Sequence, residues 1–123
     1  MPLMPRLYQT KLWQLQIPDG WTKEGSNQLI TFFRSDGVGI LSVSMVEGES
    51  PFQNDRAEPF RGRLSGTTWT SNSDINFMRI WTLSCRGRQL LVMYRCAAKN
   101  AELELSEVDE ILQSMSENGS EAM

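Results

Sequence analysis

The stretch that most constrains this chain is residues 77–97, FMRIWTLSCRGRQLLVMYRCA, in which two apolar runs flank a short arginine–glycine turn. Apolar runs of this length bounded by a turn signal read as strands. A two-residue loop at Arg86 and Gly87 joins them into a β-hairpin, with Gly87 and Arg88 as the alternative tip. The first placement sets Cys85 opposite Arg88, Leu83 opposite Leu90, Trp81 opposite Val92 and Arg79 opposite Tyr94. Side chains alternate across a strand. One face then carries Phe77, Arg79, Trp81, Leu83, Leu90, Val92, Tyr94 and Cys96. The other carries Met78, Ile80, Leu91 and Met93, with Thr82 and Arg95. Both faces are largely apolar, so the hairpin belongs in a sheet that is covered on both sides, at least in part.

The same register bears on the two cysteines. Cys85 falls at the tip and Cys96 near Phe77, about eight residues or roughly 25 Å apart at strand rise. A disulfide needs Cα atoms within about 7 Å. The two should therefore remain unbridged, Cys96 as a small core residue and Cys85 as a partly exposed thiol.

The rest of the chain supplies partners for the hairpin. Residues 1–10 carry two prolines and read as a loose lead-in. Residues 11–17 alternate as a half-buried strand, with Trp13, Leu15 and Ile17 on one side. Pro18, Asp19 and Gly20 end it, and Trp21 folds back onto the core edge. A turn at residues 25–27 precedes a strand over 29–34, LITFFR, whose β-branched and aromatic content suits a sheet. A reversal at 35–37 leads to a strand over 38–46, with Leu41, Val43 and Met45 facing one way and Ile40 and Val46 the other. Residues 47–61 form a long irregular connection with prolines at 51 and 59, able to hold a short helix within 52–58. Residues 62–69 read as a weaker strand with Gly66 as a bulge, and 70–75 as a polar turn. A helix from residue 101 to about 116, capped by Asn100, has Leu105, Val108, Ile111, Leu112 and Met115 on one stripe. Its acidic residues Glu102, Glu104, Glu107, Asp109 and Glu110 read as a solvated face favoured by the helix dipole. Residues 117–123 form a frayed tail.

Length and composition narrow the function classes. At 123 residues the chain is a single domain, large enough to fold without a disulfide or metal. A net charge of −3 argues against general nucleic-acid binding. There is no histidine, which removes the commonest general base and metal ligand. No run approaches the roughly 20 apolar residues of a membrane span, and the start lacks a signal-peptide core, so a cytoplasmic setting is expected. No phosphate-binding glycine loop, CxxC or HExxH motif occurs, and no cofactor or metal is expected. A carboxylate pair drawn from Asp19, Asp36, Asp55 and Glu58 is the remaining route to acid–base chemistry, but Asp19 and Asp36 occupy positions where turns favour aspartate. The more informative pattern is arginine set among aromatics: Arg56, Phe60, Arg61, Arg63, Trp69, Arg79, Trp81 and Tyr94. Arginine and large aromatic rings are what interface hot spots are made of, and Arg79 opposite Tyr94 suits cation–π packing.

The order of elements resembles small bacterial domains of the PsbP-like superfold, which also includes a nuclear Ran-binding release factor. The resemblance rests on I-P-D-G-W at residues 17–21, the glycine-bounded D-G-V-G followed by I-L-S-V-S at 36–44, and F-R-G at 60–62. It continues through R-I-W at 79–81, Y-R-C at 94–96 and the final E-V-D-E-I-L-Q-S-M. It implies a central antiparallel sheet covered by helices and a binding or accessory role. The chain departs from the superfold at residues 47–61, where members carry a substantial helix. The combined expectation is an α+β domain: a mainly antiparallel sheet of about six strands, the C-terminal helix on one face, and a short helix or loop near the other. The expected function is a non-catalytic binding or accessory protein acting on a protein partner. A toxin-neutralising immunity protein and a small-molecule binder or enzyme using carboxylates are the alternatives. An uncovered apolar sheet face would favour a homodimer.

Overall fold

The computed structural model describes residues 6–26, 29–35, 37–46 and 56–117. Within them the chain is an α+β protein dominated by antiparallel sheet. The strands are β1 (Arg6–Gln9), β2 (Trp13–Ile17), β3 (Trp21–Ser26), β4 (Leu29–Arg34), β5 (Gly39–Val46), β6 (Glu58–Arg61), β7 (Ser65–Asn72), β8 (Asn76–Cys85), β9 (Arg88–Ala97) and β10 (Ser116–Glu117). The helix α1 spans Leu105–Ser114 and follows a single 3-10 turn at Ala98–Asn100. Seven strands form one sheet in the order β3-β4-β5-β9-β8-β7-β6, and three form a second in the order β1-β2-β10.

The β8–β9 hairpin lies in the interior of the large sheet, flanked by β5 and β7. Its register is the one the sequence implies, with Cys85 opposite Arg88, Trp81 opposite Val92, Arg79 opposite Tyr94 and Phe77 opposite Cys96. Arg86 and Gly87 both have positive φ, 52° and 77°, the backbone that a two-residue hairpin turn with right-handed strand twist requires. Cys85 and Cys96 are unbridged. Cys85 is buried rather than partly exposed, because β2 passes beneath the hairpin tip and its thiol donates to the Leu12 carbonyl at 3.3 Å.

The inner face of the large sheet holds the main core. Trp21, Phe32, Leu41, Trp81, Leu83, Leu90, Val92 and Tyr94 are all at most 1% exposed. The small sheet and α1 cover this face together: Trp13, Leu15 and Ile17 of β2 and Val108, Ile111 and Leu112 of α1 join the same cluster. The helix also binds β2 directly, where the Gln16 amide donates to Ser114 Oγ at 2.9 Å. The outer face holds a smaller cluster of Trp69, Ile80 and Leu91, with Val46, Ala57, Met78 and Met93 packed against it.

Several boundaries differ from the sequence reading. Residues 6–9 are not a loose lead-in but pair with β2, from Arg6 opposite Ile17 to Gln9 opposite Gln14. Residues 21–26 form a strand against β4 instead of running into a turn at 25. The short helix expected within 52–58 lies outside the described residues up to residue 55, and Glu58 already begins β6. Gly66 is not a bulge. It pairs in regular register with Leu83, and a Cβ there would lie 1.8 Å from the Thr82 carbonyl oxygen. The ten strands in two sheets exceed the six or so expected: β1, β3 and β6 each pair with the strand that follows them, and the short β10 pairs with the distant β2.

Gly66 gives a direct test of this packing. Gly66→Ala should force β7 away from β8 and cost about 2–3 kcal/mol, the usual penalty for overpacking. A lowered urea midpoint with an unchanged slope is the expected result.

Candidate functional site

The helix α1 begins at Leu105, later than its sequence suggests, and a carboxylate sits at its start. Glu104 occupies the N-cap position of α1 and its own carbonyl accepts the first intrahelical bond from Val108. Its side chain does not cap the helix. It turns into the core, 5% exposed, and accepts hydrogen bonds from the Tyr94 hydroxyl at 2.8 Å, the Gly39 amide at 3.1 Å and the Val38 amide at 3.3 Å. A buried carboxylate is costly unless donors replace its water, and three donors do so here. The acidic stretch is therefore not uniformly solvated. One helical turn on, Glu107 pairs with Arg34 of β4 at 3.2 Å and accepts from Trp21 Nε1 at 3.4 Å.

Glycines make room for this network. A Cβ at Gly39 would lie 2.4 Å from the Tyr94 hydroxyl oxygen, and one at Gly37 would lie 2.3 Å from Glu104 Oε2. The two glycines of the D-G-V-G segment thus allow the start of β5 to approach Tyr94 and Glu104. Burial first, and then the hydrogen bond to Glu104, push the Tyr94 hydroxyl well above its ordinary pKa. Tyr94 is accordingly a permanent donor at neutral pH and not a proton shuttle. Burial likewise raises the Cys85 thiol, with the charge of Glu117 adding to the shift and Arg86 opposing it. This thiol is held in its unreactive form.

The eight arginine and aromatic residues singled out in the sequence do not converge. Trp81 and Tyr94 are buried in the main core, and Phe60 of β6 joins them from the same face. Arg79 is half-buried. Its guanidinium lies 5.4 Å from the centre of the Trp81 ring, not on Tyr94, and its Nε donates to Thr68 Oγ1 at 3.2 Å. Trp69 lies on the outer face beside Ile80 and Leu91. Arg56, Arg61 and Arg63 are exposed along the β6 rim. Alternation across β6 puts Arg61 on the outer face, since its neighbour Phe60 points inward.

The residues that the sequence reading passed over lie on that outer face. Ile40 of β5 is 40% exposed and Leu29 of β4 is 50% exposed. Ile40 sits opposite the exposed Arg95 of β9, which sits opposite Met78 of β8, so the three form one row across the sheet. The alternation of residues 38–46 already separated Ile40 from Leu41. Its exposure needed the sheet order. Among the described residues, no group of three or more His, Cys, Asp or Glu side chains is placed to hold a metal ion. No helix among them is long and apolar enough to cross a membrane.

These features define a sheet-dominated α+β protein with one closed face and one partly open face. No protein-family model matches the chain, and no curated protein does. Among solved structures it is similar to one from Bacteroides thetaiotaomicron VPI-5482, with a TM-score of 0.65 and 12% identity over 86% of this chain and 45% of that chain. The likeness is one of fold, and this chain spans less than half the length of that protein.

Two variants probe the Glu104 network. Glu104→Leu leaves the Tyr94 hydroxyl and two amides without their acceptor and should cost about 3–5 kcal/mol, with Glu104→Gln falling between it and the wild type because an amide oxygen still accepts. Urea denaturation at neutral pH measures both. Tyr94→Phe should change the alkaline limb of the stability profile. The native tyrosine keeps its proton to higher pH than the unfolded one, whose ordinary value is 10.0. Its contribution is complete below that value and is lost as pH rises toward the native pKa. The stability gap between wild type and Tyr94→Phe should therefore be constant below about pH 10 and narrow as the pH rises above it.

Proposed function

We propose that this protein is a non-catalytic binding or accessory protein that acts through protein–protein contacts, and that it uses the outer face of the large sheet. The observation that supports this reading is the row of Ile40, Arg95 and Met78, with Leu29 exposed on the same face opposite Ser44, about 13 Å further along the sheet. Exposed aliphatic side chains on an ordered sheet, with an arginine among them, have the composition of an interface centre rather than of ordinary surface. Arg61 and Trp69 share that face, and Arg56 adjoins Ala57, which packs on the Trp69 cluster. The arginines select a partner whose contact surface is acidic around an apolar centre. The element order that resembles the PsbP-like superfold supports the same reading, since its members are largely binding and accessory proteins. Two unbridged thiols suit the reducing cytoplasm, where we place it.

The buried titratable groups point the same way. Glu104 and Tyr94 satisfy each other, and Glu107 is committed to Arg34 and Trp21. Each of these carboxylates serves packing.

A photocrosslinking side chain at position 40 should capture one discrete partner in cells of the source, and Arg95→Glu in the same chain should abolish the product. The same probe at Glu110, on the exposed side of α1, should capture none. Equal crosslinking from both positions, or turnover of a small substrate by the purified protein without any crosslink, would count against the proposal.

A further inference from the structure

Two open sheet edges face each other at the end of the molecule away from β6. β1 is an outer strand of the small sheet and β3 an outer strand of the large one. Between them is an open cleft of about 380 Å³, walled by Arg6, Leu7 and Tyr8 on one side and Trp21, Thr22 and Lys23 on the other. The strands run alongside each other in the same direction, because Arg6 lies level with Trp21 and Tyr8 level with Lys23. The Arg6 guanidinium donates to the Trp21 carbonyl, and Lys23 Nζ stands 5.0 Å from the centre of the Tyr8 ring. Side chains make these bridges. No backbone ladder joins β1 to β3 among the described residues.

The backbone of β3 is set up to take another strand. Its Trp21 carbonyl points to the free side, where it already accepts from Arg6, and the Trp21 amide already donates to the Pro18 carbonyl, so the open positions begin at Lys23. In an antiparallel ladder the N–H and C=O of one residue point to the same side and alternate every second residue, so those of Lys23 face the cleft as well. Unpaired edges of this kind are templates for an added strand. β4 and β2 hold the two walls from behind, and Tyr8 is fixed by an edge-on contact to Phe32 with ring centres 5.5 Å apart.

Charge identifies the occupant. The chain as a whole carries −3, yet among the described residues this cleft is walled by two cations and no carboxylate. Among the described residues neither Arg6 nor Lys23 has an acidic partner, whereas Arg34 nearby is paired with Glu107. Tyr8, Leu7 and Ile17 supply apolar surface beside the cations. We infer that the cleft binds an extended acidic peptide segment of a partner protein by strand addition to β3, with a carboxylate held between Arg6 and Lys23. Main-chain bonds to β3 give such binding its affinity and the side-chain contacts its specificity. This site is separate from the outer face around Ile40, and the two can fail independently.

Fluorescence anisotropy of the full chain with a labelled, end-blocked peptide of alternating valine and glutamate tests this. Saturable binding is expected, weakened about tenfold or more by Lys23→Glu, an exposed position where circular dichroism should report an unchanged fold. A peptide with proline at the central positions should lose at least as much, because it cannot complete the ladder. Ile40→Glu should bind like the wild type. Equal binding of a valine–lysine peptide, an effect of Lys23→Glu within about twofold, or no saturation at millimolar peptide would overturn the proposal. So would amide-exchange data showing the Lys23 N–H already protected in the free protein, which would mean that another part of this chain fills the cleft.

Discussion

The Glu104 carboxylate holds the two layers of this protein together. It sits where α1 begins, and its three donors come from β9, from the first residue of β5 and from Val38 just before it. Burying a charge without a cation requires that donors replace its hydration, and the bonds must be short and well directed. That requirement propagates outward. Tyr94 must stay protonated, Gly39 must lack a side chain so that the Tyr94 ring can approach, and Gly37 must leave room for the second carboxylate oxygen. Glu107 repeats the arrangement one turn later with Arg34 and Trp21. The helix is thus fixed in position by polar contacts at its N-terminal end and by Val108, Ile111 and Leu112 along its length.

With the inner face closed in this way, the large sheet has only its outer face and its edges to offer. The outer face is uneven. Trp69, Ile80 and Leu91 are buried together near β7, whereas Ile40 and Leu29 toward β4 are open. The two edges also differ. β6 carries Pro59 and Arg61, a proline and a charge of the kind that blocks further pairing. β3 has no proline and, among the described residues, no neighbouring strand on its free side, and its cleft is basic in an acidic chain. An exposed edge and an exposed apolar row are both liabilities in a protein that binds nothing. Their combination is what the proposed binding role would use.

The sequence by itself determined the centre of the fold. The Arg86–Gly87 turn and strict alternation on either side fixed the β8–β9 register, and from that register the separation of the cysteines and the two-sided apolar character of the sheet followed. Alternation also marked Trp13, Leu15 and Ile17 as a buried row. These features are local, set by side-chain period and turn chemistry. Tertiary structure decided what depends on distant neighbours. The short β10 finds the free edge of β2 from the far end of the chain, whereas β1 and β3 pair with the strand that follows each of them and carry only weak strand signals of their own. The arginines and aromatics looked like one set because they crowd together in the sequence, yet neighbouring residues of a strand point to opposite faces, and Phe60, Arg79, Trp81 and Tyr94 went inward while Arg61 and Trp69 went outward. Glu104 lay in an acidic run indistinguishable from a solvated face. Only the arrival of Tyr94, Val38 and Gly39 around one carboxylate, from segments 10 to 66 residues away, made it the residue on which the packing depends.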